Sequence, residues 1–92
     1  MVLAVRTWDL HLEGCLSLKA KRAVLKPLLV GLRRGNLSVA EIGQQDLWQR
    51  AGVACAAVGS DRAVVEAALR AADQLIEEAD GVRIIDVATA FR

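Results

Sequence analysis

One histidine, two cysteines and eleven carboxylates are the side chains of this 92-residue chain that could serve proton transfer, nucleophilic attack or metal binding. Their spacing assembles none of these. His11 has no second histidine to complete a metal site. Cys15 and Cys55 lie forty positions apart in no CxxC pattern, so neither a zinc site nor a disulfide framework is expected. Cys55, inside an apolar run, reads as a small buried hydrophobe. Glu77, Glu78 and Asp80 crowd a helix C-terminus without a partner that would split their acidities into a general acid and a general base. Gly31, Gly35 and Gly43 are spaced as chain breakers, not as a phosphate-binding loop. The expectation is a non-enzymatic protein with no cofactor, no metal and no small-molecule substrate.

Binding chemistry is better represented. Ser17-Leu18-Lys19-Ala20-Lys21-Arg22 joins a helix N-terminus to three cations, and Lys26 follows one turn later. Cations in a first turn oppose the helix dipole, so their placement asks for an anionic neighbour. Either a phosphate backbone supplies it, or Glu13, Glu41 or the acidic second helix does. The second segment is Gln44-Gln45-Asp46-Leu47-Trp48-Gln49-Arg50. A Trp and an Arg that stack, among amides that hydrogen-bond, suit a recognition loop. The alternative is a structural cap, with Trp48 folded over the core and Arg50 paired to Asp46. As a nucleic-acid surface the candidates are Lys19, Lys21, Arg22 and Lys26 for phosphates, with Trp48 and Arg50 for specific contact. With three aromatics in all and no Phe or Tyr on the central strands, base stacking of the RNA-recognition-motif kind is not expected.

These residues must be held by a small set of elements. Val2–Leu12 alternates as a strand, with Val2, Ala4, Trp8, Leu10 and Leu12 on one parity. Ser17 caps a helix whose apolar positions run from Leu18 to Leu32, ending at Arg33-Arg34 with a left-handed residue at Gly35 or Asn36. Pro27 falls inside it, and a kink is expected there. Leu37–Ile42 and Ala51–Val58 read as strands. A helix capped by Ser60 or Asp61 runs to Asp80-Gly81, and Val82–Phe91 is a last strand. The order β-α-β-β-α-β over a single domain, residues 1–92, predicts a ferredoxin-like α+β fold. It is a two-layer sandwich: an antiparallel sheet, first and third strands central, with both helices on one face. The expected core is Leu10, Leu12, Leu25, Leu29, Leu32, Val53, Cys55, Val65, Leu69, Ile76 and Val87.

Composition narrows the class further. Hydrophobic residues make up 54% of the chain, too many for disorder, yet charged residues interrupt every apolar run short of a membrane span. The N-terminus lacks the features of a signal peptide, which makes a cytoplasmic location the expectation. The net charge of +1 hides a polarity. Residues 1–50 hold eight Lys or Arg against four acids, and residues 51–92 hold four against seven. A two-layer sandwich also leaves one sheet face bare. Leu3, Val5 and either Ile84 or Ile85 are expected there, which suggests a homodimer formed face to face or by pairing of an edge strand.

Ser17-Leu18-Lys19-x-Lys21-Arg22, Ser38-Val39-Ala40-Glu41 and Gln45-Asp46-Leu47-Trp48-Gln49-Arg50-Ala51 together resemble the YlxP-like proteins, a bacterial family of unknown function, across essentially the whole chain. The resemblance implies a small cytosolic protein of ferredoxin-like fold. Genes of that family tend to neighbour those of a translation initiation factor and a ribosome-binding factor, which implies a role near RNA or the ribosome. No catalytic residue carries over. At Gly43-Gln44 relatives often have Asp-His, so any acid–base or metal role of that histidine is not open to this chain. The leading expectation is an RNA- or ribosome-associated binding module. The alternative is a structural or protein-interaction module that assembles through its open sheet face and charged helices.

Overall fold

The computed structural model describes residues 1–44 and 46–92. Its elements are β1 (Val2–Leu12), α1 (Leu18–Arg33), β2 (Ser38–Glu41), β3 (Arg50–Gly59), α2 (Arg62–Glu78) and β4 (Val82–Phe91). The strands form one sheet in the order β2-β3-β1-β4, antiparallel at every pairing, so β1 and β3 are the central strands. This is the ferredoxin-like α+β sandwich that the alternation of periods predicts.

Local chemistry explains the boundaries. The Ser17 hydroxyl accepts from the Ala20 N–H at 3.0 Å, and Asp61, not Ser60, accepts from the Val64 N–H at 3.0 Å, so each helix has a side-chain cap. After α1 the left-handed residue is Asn36, with φ of 62°. Pro27 leaves α1 a single unbroken helix. Its ring sits on the exposed side, where the missing bond to Ala23 exposes a carbonyl to water and not to the core.

One parity of each central strand joins one face of each helix in a single core. Ala4, Trp8, Leu10 and Leu12 of β1 and Ala51, Val53, Cys55 and Ala57 of β3 meet Leu25, Leu28 and Leu32 of α1 and Val65, Leu69, Ala72 and Ile76 of α2. Asp73 of α2 ties the helix to the sheet, accepting from Trp8 Nε1 at 2.8 Å and from Arg6 at 2.6 Å. The indole can therefore be buried without an orphaned donor.

Two expectations for the core need correction. Val87 is 40% exposed, because β4 is an edge strand and α2 does not cover its outer part. Leu29 is only partly buried at the flank of α1, while Leu28, one position earlier, lies in the core. Ile84 pairs with Leu10 and packs on the core. The register shift opposite Asp9 and Leu10 leaves the adjacent Ile85 as the exposed isoleucine.

Candidate nucleic-acid interface

The basic residues of α1 divide by helical geometry. Lys19, Arg22, Lys26 and Arg33 fall at intervals of three, four and seven, on one stripe, and all four are exposed. Lys21 falls at the spacing of the buried stripe, four, seven and eleven residues ahead of Leu25, Leu28 and Leu32, and is 2% exposed. Its ammonium donates to the Gln44 carbonyl at 2.9 Å and the Leu47 carbonyl at 2.8 Å, and lies 3.4 Å from Glu41. With three oxygen neighbours inside the fold, Lys21 has no capacity left for a phosphate. Its assignment as a phosphate ligand is corrected: it fastens the chain after β2 to α1.

That connecting segment is fixed from the sheet side as well. Gly43 and Gln44 both adopt left-handed backbone conformations, φ 59° and 51°. The turn brings the Ile42 carbonyl so close to Gly52 that a Cβ there would collide with it. Asp9, on the face of β1 away from the helices, accepts from Gln44 Nε2 at 2.8 Å and from Arg50. Those two hydrogen bonds, Arg50 first, hold the Asp9 carboxyl below the ordinary carboxylate range against an opposing push from burial. Arg50 thus pairs with Asp9 on the open side of the sheet and not with Asp46, and it is not a free cation beside α1. The sequence reading of Arg50 as a contact residue thus falls on the open face of the sheet, apart from the cations of α1. Trp48 does not close the core; it stands 49% exposed beside an equally exposed Leu47. Gln45 of the same segment lies outside the described residues.

Between α1 and β2 runs a groove of about 450 Å³. Leu18, Leu25 and Leu29 form its apolar floor, and Arg22, Lys26 and Arg33 stand along it, facing Glu41 and Asp46. Lys19 flanks the same stripe on its outer side. Glu41 is already committed to Lys21, which leaves Asp46 as the groove's other carboxylate. Arg33 reaches the Val39 carbonyl at 3.5 Å, and among the described residues Lys19, Arg22 and Lys26 form no ion pair. Arg33 was legible in the sequence only as a last-turn cation; its place in the groove follows from the helical phase it shares with Arg22 and Lys26.

Elsewhere the chemistry is quiet. Burial raises the Cys55 thiol's pKa, so it stays protonated, and both cysteines are buried and unpaired. Among the described residues no cluster of three His, Cys, Asp or Glu side chains gathers as a metal site, and no helix is long and apolar enough to cross a membrane.

The arrangement defines a ferredoxin-like α+β domain with a cationic helix face beside a shallow groove. The chain belongs to the family described as protein of unknown function, DUF503, whose pattern matches residues 3–89. Uncharacterized protein YlxP of Bacillus subtilis (strain 168) is 49% identical over 55 residues, 59% of this chain and 60% of that protein. The alignment thus spans three fifths of the relative's length. The backbone is also similar to that of De novo designed protein Foldit4, with a TM-score of 0.61 over 98% of this chain and 97% of that one. At 14% identity that likeness concerns the fold alone.

Proposed function

We propose that this protein is a non-enzymatic cytoplasmic module that binds structured RNA, ribosomal RNA foremost, through the exposed stripe of α1. The observation that carries the reading is the set of cations Lys19, Arg22, Lys26 and Arg33 on one helix face, the first three in no ion pair among the described residues. A row of free cations beside a groove is what a phosphate backbone neutralises, and such contacts release counterions. Trp48, half-exposed next to Leu47, offers a flat surface for an unstacked base. Lys21 serves by holding the segment that presents Trp48, and Arg50 by anchoring its far end to Asp9.

A protein-interaction module is the rival reading, and the exposed Leu47 and Trp48 pair favours it. Charge reversal separates the two. In a mobility-shift titration with structured ribosomal RNA at ~50 mM salt, the Arg22→Glu/Lys26→Glu protein is expected to bind at least ~10-fold more weakly than the parent chain. Equal binding by both proteins, or no shift by either, contradicts the reading.

A further inference from the structure

The two edges of the sheet are built differently. The β2 edge is four residues long and carries Glu41, which is how natural sheets discourage pairing with another chain. The β4 edge is ten residues long, and Ile85 to Ala90 are exposed throughout. From Val87 to Phe91 it reads Val-Ala-Thr-Ala-Phe, without a charge, a proline or a lysine. Such a segment has high strand propensity and no charged side chain or proline of its own to turn a second strand away.

The hydrogen-bond phase of β4 states what that edge offers. Arg92 and Leu3 exchange both backbone bonds, N to O at 2.7 and 3.3 Å. In an antiparallel ladder bonded and non-bonded pairs alternate, so Ala90, Ala88 and Asp86 also point their backbone groups at β1. Phe91, Thr89 and Val87 therefore point theirs at the free edge. Consistent with this, the Val87 N–H is taken by the Asp86 side chain at 2.9 Å, a local stopper on one outward donor.

We infer that two copies of this chain join by antiparallel pairing of their β4 strands about a two-fold axis at Thr89, making one eight-stranded sheet. The register follows from the sequence. With Thr89 opposite its own copy, Val87 lies opposite Phe91 on the helix side, an aliphatic–aromatic cross-strand pair. Ala88 lies opposite Ala90 on the open side, and Asp86 lies opposite Arg92, so opposite charges meet at both ends. A shift by two residues keeps the faces but sets Asp86 against Ala90 and loses the ion pairs. The Val87 N–H then donates across the axis, and Asp86, released from it, meets the second copy's Arg92. The contact is self-complementary and closed, as a two-fold interface must be. It lies at the opposite edge of the sheet from β2 and the α1 groove, so it stands independently of the RNA reading.

Sedimentation equilibrium at ~100 µM chain tests the proposal, since a dimer's population depends on concentration. The expected mass is twice the 9.9 kDa of the chain. A mass of one chain overturns it, and so does open-ended growth, because a two-fold pairing closes. Thr89→Pro removes an outward donor that β1 does not use, so the monomer is expected to keep its fold and the dimer to be lost. A folded Thr89→Pro protein that dimerises as the parent does also overturns the proposal. Should that variant fail to fold, the charges decide. Asp86 sits opposite Asp9 within the chain, so Asp86→Arg relieves a like-charge pair in the monomer while opposing Arg92 twice per dimer. Its dissociation constant is expected to rise ~10-fold or more, and Asp86→Arg/Arg92→Asp to return within ~3-fold of the parent. No rise, or no rescue, rejects the register.

Discussion

Lys21 joins sequence, fold and the proposed interface in one side chain. Its charge suggests a surface ligand, yet its position repeats the interval of Leu25, Leu28 and Leu32, and the helical phase decides where it goes. The sequence contained that signal; the identity of its acceptors, two backbone carbonyls of a distant segment, it did not contain. Removing the ammonium leaves those carbonyls and Glu41 without a donor, so Lys21→Met is expected to cost about 2 kcal/mol, or roughly 10 °C in Tm, by thermal melting. An unchanged Tm denies it the fastening role. Asp9 was likewise invisible as a partner of Gln44 and Arg50, because the contact spans more than thirty residues of chain. Its carboxyl pKa is lower in the folded than in the unfolded protein, so the ionised form stabilises the fold above the unfolded value, and this is lost as pH falls through the folded one. The Tm difference between the parent and Asp9→Asn is therefore expected to be full above about pH 5 and to shrink below about pH 4, followed by melts across acid pH. A gap independent of pH removes the electrostatic explanation.

At the scale of elements, periodicity was a good guide and edges a poor one. All six elements follow from alternation, helical spacing and caps, because burial of one face imposes its period on the chain. What failed depended on neighbours in space. Val87 looks like a core residue by type, but β4 lies at the rim, and the choice between Ile84 and Ile85 stayed open because a register shift is not written in either strand alone. Pro27 suggested a kink without a break, and α1 does run through it in one piece, held by the apolar stripe on its opposite side. Gly52 illustrates the reverse case, a residue inside a strand whose reason is a backbone passing close by. Gly52→Ala sets a methyl against the Ile42 carbonyl, and β2 with its following turn must move away. A loss of about 2–3 kcal/mol is expected in denaturant unfolding, as for other overpacking changes. A stability equal to the parent's contradicts that close approach.

Over the whole molecule, the division of charge seen in the sequence survives folding in part. Lys19, Arg22, Lys26 and Arg33 lie on the exposed stripe of α1, while Arg6, Lys21 and Arg50 are absorbed by Asp73, Glu41 and Asp9, so the net charge of the N-terminal half overstates the free positive surface. Sequence could count charges but could not subtract the ones that the fold neutralises. What remains is a cationic stripe of four residues on one edge of the molecule and an unprotected strand on the other. The stripe sets how steeply RNA binding must fall with salt. Four cations that each neutralise one phosphate give a log–log slope of affinity against salt of roughly −3. The direct test is the affinity of the protein for structured ribosomal RNA measured by fluorescence anisotropy over rising salt, starting at ~50 mM. Tight binding at the lowest salt and a linear loss at about that slope are expected. Binding that ignores salt, or none at ~50 mM, contradicts the RNA reading.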